Sequence, residues 1–397
     1  AHASGFKTFA FLPEELYFGR SLGLAPISSV VNYCATQQPV VVLFDHFMGG
    51  GAKEYSRQIE KAHLRMGVNV VRVYYKPNNW ILQWISDDGG MFFGAENLSE
   101  LFVALSEFKV NLAVVNSFNS YPLIDVFLQE LQYFCEDAKA KLEFKVHDFH
   151  AICPSQHLSN DAERYCGLPE DEKICNKCLA NNQAVDWTSS KEMNIRNWRE
   201  PFQKLLDKTN TITVFDDTSR ELLSKVFKTN HVESIYSVPH IDSYFQVTAK
   251  ADLTGPLSIG LLGTMSTIKG EASVTTLCEW LDSTADQSKV TLIGQSVVPL
   301  PSRVAVHGEY LTEELESLIK KYNINVIFMA TIVPETFSFT ISEAMKLQLP
   351  IVCYNIGAQA NRLKKYTFGK VIELDTPPEG VIQSLKEIHT KAIGKQQ

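Results

Sequence analysis

Apolar residues recur along this chain with two periods, and the alternation between them sets out its elements. Short, mostly apolar runs bounded by turn residues fall at Val40–Phe44, Val68–Tyr75, Leu112–Val115, Leu142–Val146 and Thr211–Phe215. They return at Leu257–Leu262, Val290–Ile293, Val304–Val306, Val326–Met329, Ile351–Tyr354 and Val371–Leu374. Runs of this kind predict buried strands. Helical spacing lies between them, over Ala52–Met66, Leu98–Phe108, Ile124–Phe134, Glu192–Lys208, Ile341–Leu347 and Val381–Ile393, with further helices opened by Asp216–Ser219 and by Gly357-Ala358. Strand and helix in alternation predict an α/β protein with doubly wound parallel sheets. Ile235–Asp242, broken by Pro239, reads as the passage from a first domain, 1–238, to a second, 239–397. Phe6–Pro39 has no clear period and is expected to form peripheral helices or loops.

Length agrees with this division, since 397 residues suffice for two domains, each with a full core. A hydrophobic fraction of 45% with 21% charged residues is that of a soluble globular protein. No apolar run approaches the roughly 20 residues of a membrane helix, and the N-terminus lacks a signal-peptide pattern, so a cytoplasmic location is expected. The formal charge of −8 argues against nucleic acid as a partner, because phosphate backbones are bound through clustered Lys and Arg. It leaves room for peripheral contact with the inner face of a membrane. The chain starts at Ala1 rather than Met, which is expected of either a piece of a longer multidomain polypeptide or a few added residues at Ala1–Gly5.

Chemistry concentrates at strand ends, where a parallel sheet binds ligands. After the strand Val326–Met329, the loop holds Glu335, and Glu343 follows eight residues on, in the first turns of the next helix. Between them Phe337, Ser338, Phe339 and Thr340 place backbone N–H groups at a helix N-terminus, which suits a phosphate. Carboxylates for hydroxyls and amides for phosphate point to a nucleotide sugar. Gly49, Gly50 and Gly51 follow Val40–Phe44 and permit close backbone approach to donor phosphate or acceptor, or form a plain flexible turn. Gly263-Thr264 and Lys269-Gly270 follow Leu257–Leu262, and Gly357-Ala358 is expected to turn its backbone to the ligand. His147 stands at the carboxyl end of Leu142–Val146, as a catalytic group or a structural hydrogen-bonding one. Cys153, Cys166, Cys175 and Cys178 fall within 26 residues of a polar excursion at about 150–182. Four thiolates make a complete zinc set, with His150 and His157 as substitutes, but free thiols, disulfides and a redox role stay open.

The stretch Pro334-Glu335-Thr336-Phe337-Ser338-Phe339-Thr340-Ile341-Ser342-Glu343-Ala344-Met345, followed by Leu349-Pro350-Ile351-Val352, resembles the donor-site motif of the retaining family 4 glycosyltransferases. The resemblance covers roughly residues 40–390. Gly263 to Gly270 is similar to that family's G-R-x-x-x-x-K-G loop, with Thr264 in place of the arginine. His147-Asp148-Phe149 with Cys153-Pro154 and the Cys-rich insertion resembles one branch of the family. The resemblance implies the GT-B fold, two Rossmann-like domains facing a central cleft, with the last helix packing back on the first domain. It implies a hexosyl-type sugar moved with retention from a nucleotide-diphosphate sugar to a saccharide or lipid-linked saccharide, in assembly of a bacterial O-antigen, lipopolysaccharide or capsule. By the same likeness Glu335 holds sugar hydroxyls, Glu343 the ribose, and Lys269 with the amides of Phe339 and Thr340 the diphosphate, while His147 contacts the donor sugar. Catalysis then needs no cofactor, and any zinc is structural. Another GT-B activity is a rival, as is a catalytically weak module that binds nucleotide sugar or glycan or scaffolds an assembly; Thr264 motivates the latter.

Overall fold

A computed structural model describes residues 24–47, 50–76, 79–86, 89–185, 194–228, 232–234 and 245–396. They divide into two compact units, the first running to residue 234 apart from Glu163–Tyr165, which group with the second, 245–396. The expected passage at Ile235–Asp242 lies outside the described residues, as do most of Phe6–Pro39 and Gly49.

The first unit is a nine-stranded sheet in the order β1-β5-β4-β3-β2-β6-β7-β8-β9. Its strands are β1 Ala25–Pro26, β2 Pro39–Phe44, β3 Asn69–Lys76, β4 Asn79–Ser86, β5 Gly89–Ala95, β6 Lys109–Val115, β7 Lys141–Lys145, β8 Thr211–Val214 and β9 Val232–Ser234. After the short α1 (Val30–Tyr33), its helices are α2 Gly51–Arg65, α3 Leu98–Ser106, α4 Ile124–Ala138, α5 Glu172–Asn181, α6 Ile195–Lys208 and α7 Asp217–Val226. Val40 to Phe44 are buried, as a strand with both faces covered requires. Asn97 caps α3 by accepting from the Glu100 amide at 3.0 Å, and Asp216 caps α7 from the Thr218 amide at 2.9 Å. One part departs from strand–helix alternation: β3, β4 and β5 pair antiparallel. Trp80, Ile81, Leu82 and Trp84 bury this insertion, and Trp80 stacks on Phe127 of α4 at 5.4 Å. Both faces of β4 are apolar, so it carries no period-two signature.

The second unit is a six-stranded sheet, parallel throughout, in the order β12-β11-β10-β13-β14-β15. Its strands are β10 Ser258–Leu262, β11 Lys289–Ile293, β12 Val304–Val306, β13 Val326–Met329, β14 Ile351–Tyr354 and β15 Gly369–Ile372. Helices α8 (Glu271–Ser283) and α12 (Pro378–Gln396) share one apolar cluster with the sheet. Helices α9 (Leu315–Lys321), α10 (Phe339–Lys346) and α11 (Gly357–Lys364) share another. Two clusters separated by one sheet are the doubly wound arrangement. The last helix, α12, lies on α8 and on β13, β14 and β15 of its own unit. No helix among the described residues is long and apolar enough to cross a membrane.

Chain order places a switch point in each sheet. From β10 the chain proceeds outward through β11 and β12, then returns to β13 on the other side of β10 and proceeds through β14 and β15. The loops after β10 and β13 therefore leave adjacent strands at the same edge, and crevices at such points take ligands. In the first unit β2 lies between β3 and β6 in the same way.

Candidate functional site

At the second unit's switch point, the Lys269 ammonium is ion-paired with Glu335. Thr331 Oγ1 donates to the same carboxylate at 3.3 Å, and Ser338 bonds to it as well. Burial pushes the Glu335 carboxyl up, but the Lys269 charge and these hydrogen bonds outweigh it and hold the group below the ordinary glutamate range. Glu335 is therefore an ionised acceptor at neutral pH. Its side chain is 14% exposed, while that of Lys269 is 41% exposed and can swing to another anion.

Lys269 reaches Glu335 because the two loops are knit together. Ile332 N–H donates to Ile268 O at 3.1 Å. Gly270, at φ +87°, lies so close to β13's end that a Cβ there would stand 1.9 Å from the Ala330 carbonyl oxygen. Gly263 is also left-handed, at φ +90°, and faces the Thr340 methyl. Thr264 is exposed. Lys269, Gly270, Glu335, Ser338 and Thr340 thus come together at the ends of β10 and β13. Glu343 is buried farther along α10, and its charge adds to burial in raising the Tyr310 phenol. Phe337 and Phe339 pack edge to face at 5.1 Å.

Helix α11 holds this loop, through residues that the motif reading passed over. Gln359, with no exposed surface, accepts from Glu335 N–H at 3.0 Å and donates to Val333 O at 2.9 Å. Arg362 donates to the carbonyls of Phe337 and Ser338 at 2.9 and 2.7 Å, and its guanidinium lies 4.1 Å from the Phe337 ring centroid. Ser338, at φ +71°, is held in a conformation non-glycine residues avoid. Ala358 N–H donates to Glu335 O at 2.9 Å, so it serves the loop rather than turning to a ligand as expected. The sequence signal for α11 is slight: a polar Gln and an Arg placed three residues apart.

In the first unit Gly50, at φ +95°, precedes α2, and Gly51 is its first residue. Asn116, buried at the end of β6, donates to Asp45 Oδ1 and to Ala52 O, both at 3.0 Å, so the glycine loop is tied to the switch point. His147 stands beyond β7, its ring stacked on Phe215 at 4.6 Å and edge-on to Tyr55 at 4.9 Å. Burial, then the nearby His46 and Lys145, lower its pKa to about 3. It is a neutral imidazole at physiological pH. It can exchange hydrogen bonds but supplies no positive charge.

The four cysteines of the excursion are free thiols, Cys175 and Cys178 on α5 and the others in the loop before it. Among the described residues no three His, Cys, Asp or Glu side chains are gathered at ligating geometry. Grooves beside Trp280 and Lys386, and beside Arg303, include none of the candidate residues.

No family model matches the chain, and no curated protein sequence does. Solved structures do. Sucrose-phosphate synthase from Thermosynechococcus elongatus matches over 90% of each chain with TM-score 0.59 at 14% identity. HepE from Anabaena, in complex with UDP and glucose, matches over 89% of each chain with TM-score 0.55 at 14% identity. WaaG, a glycosyltransferase involved in lipopolysaccharide biosynthesis, matches over 88% of this chain and 90% of its own with TM-score 0.57 at 12% identity. The two-unit α/β architecture is the GT-B fold.

Proposed function

We propose that this chain is a glycosyltransferase that binds a nucleotide-diphosphate sugar on its second unit and passes the sugar to a saccharide or lipid-linked saccharide. The observation that carries the reading is the Lys269–Glu335 pair at a GT-B switch point, beside the N-terminus of α10. A partly buried carboxylate accepts from sugar hydroxyls, and an exposed ammonium beside a helix N-terminus receives a diphosphate. On donor binding Lys269 moves from Glu335 to the phosphates, and Glu335 takes the hydroxyl donors in its place. Charge stabilisation of the departing diphosphate is then the main catalytic contribution. Glu343 takes the ribose.

Retention follows from a front-face path: the acceptor hydroxyl oxygen bonds to the anomeric carbon on the face from which the carbon–phosphate oxygen bond breaks, and the leaving phosphate takes the hydroxyl proton. A hexosyl donor and a cell-surface polysaccharide acceptor, met at the inner face of a membrane, complete the proposal. Because HepE is found with UDP and glucose, UDP sugars are the first donors to try.

A thermal-shift series with UDP, GDP, dTDP, CMP and their sugar conjugates tests this beside Lys269→Ala and Glu343→Ala. A ligand at about 100 times its Kd adds about 2.7 kcal/mol. One nucleotide family stabilising the parent chain, with both substitutions erasing the shift, supports the donor site. No shift at millimolar nucleotide in folded protein overturns it. The rival reading, a module that binds donor without turnover, rests only on Thr264 standing where the resembled motif has arginine; a shift without sugar release or transfer across an acceptor series is its signature.

A further inference from the structure

The excursion between β7 and α6 is held in a costly conformation. Gln156, Leu158 and Leu168, none of them glycine, are left-handed at φ +61°, +56° and +54°. No disulfide closes it. Its four cysteines are nevertheless placed in a pattern. Two of them receive a donor from two residues farther on: Ser155 Oγ donates to Cys153 Sγ at 3.4 Å, and Leu168 N–H donates to Cys166 Sγ at 3.4 Å. Gly167 supplies the left-handed step, φ +69°, that turns this amide onto the sulfur. Cys175 and Cys178, three residues apart on α5, share one helix face. Cys178 Sγ receives the amide of Asn182 at 3.5 Å, a side chain 1% exposed that also donates to Ser159 O at 2.7 Å. Arg199 bonds to Cys175 and to Ile152 O, the latter at 3.0 Å. Cys166 N–H donates to Leu158 O at 2.9 Å, so the stretch carrying Cys166 lies against the Leu158-Ser159 segment that Asn182 ties to α5.

Neutral, half-buried thiols gain little from such an arrangement, since sulfur is a weak acceptor. Thiolates on a metal gain much, because donors aimed at sulfur offset the surplus negative charge of a tetrathiolate. We propose that Cys153, Cys166, Cys175 and Cys178 bind one structural zinc ion that holds the excursion in place. Binding replaces four thiol protons, which leave to solvent, by one divalent cation. The complex carries two net negative charges, met by Arg199 and the donors from Ser155, Leu168 and Asn182. Protonated thiols have no reason to close on one point, and the cation draws them to ligating distance. His150 and His157 are not needed as ligands. The site goes beyond the transferase reading and stands without it. Its structural consequence is local: the zinc anchors the segment that starts at His147 and is tied to α6 by the bond from Trp198 Nε1 to His150 O at 2.8 Å.

The test is elemental analysis of the full chain, produced with added zinc and purified without chelator. About one zinc per chain is expected, lost in Cys175→Ser and kept in Cys135→Ser, whose thiol lies on α4 away from the excursion. Should the Cys175→Ser protein fail to fold, stepwise mercurial modification of the parent chain decides: about one zinc released as the four thiols are consumed supports the site. Replacement by cobalt should give the intense thiolate charge-transfer bands of a tetrahedral site. Folded parent protein without zinc, protein carrying iron instead, or four thiols that react freely while any zinc stays bound, would each overturn the proposal.

Discussion

Glu335 is a partly buried carboxylate whose ionisation depends on a neighbour that is itself half in water. Its folded pKa is depressed, so its contribution to stability is present above the unfolded value of about 4.3 and is lost as pH falls through the folded value. Lys269→Ala leaves the carboxylate buried without its cation. Discounted for the exposure of Lys269, the cost at pH 7 is about 1–2 kcal/mol by urea unfolding. That difference should shrink as the carboxylate becomes protonated in acid; a difference that stays constant down to pH 3 would count against the pair. His147 has the opposite chemistry with the same acid sensitivity. Its folded pKa is about 3, so the unfolded chain binds the proton more readily between about 6.5 and 3. Stability from this residue is fully present above 6.5 and declines as pH falls through that window. Its imidazole C2–H resonance should stay still from pH 8 to 5, and a midpoint near 6.5 would show that the Tyr55 and Phe215 enclosure is open. Glu335→Ala should abolish turnover while circular dichroism and unfolding remain those of a folded protein.

At the scale of elements, the loop after β13 is restricted by its neighbours on two sides. Helix α11 fastens it from one side, and the Gly270 turn from the other. Gln359→Leu strands Glu335 N–H and Val333 O without their partner, at about 2–4 kcal/mol for two buried groups. Gly270→Ala meets both a left-handed backbone and a carbonyl oxygen in its path, at about 2–4 kcal/mol. If these elements act through the loop, Arg362→Lys should lose donor affinity with little loss of melting temperature, because an ammonium cannot serve both carbonyls and the Phe337 ring as the planar guanidinium does. Equal losses in affinity and stability would make Arg362 a packing residue alone. Most elements were legible in advance: Ile351–Tyr354 coincides with β14, and Ile124 opens α4 as expected. β4 and β5 were not, because a strand apolar on both faces and an insertion without helices carry no period to read.

For the whole molecule, local pattern was enough for the class of architecture and for placing the candidate residues at strand ends. Apolar periodicity is a property of neighbouring residues, so it determined strands, helices and their alternation; the run from Pro334 to Met345 and the four cysteines were likewise visible as composition at fixed spacing. Partnership across the chain was not. Lys269 and Glu335 meet across 66 residues because β10 and β13 are sheet neighbours, and nothing in either segment states that order. Gln359 reaches the loop from 24 residues away, and the neutral state of His147 comes from rings on α2 and beyond β8. Sequence by itself determined which groups this protein has to work with and which strand ends carry them. Only the tertiary structure decided which groups touch and in what charge state, because strand order and burial are set by the packing of distant segments.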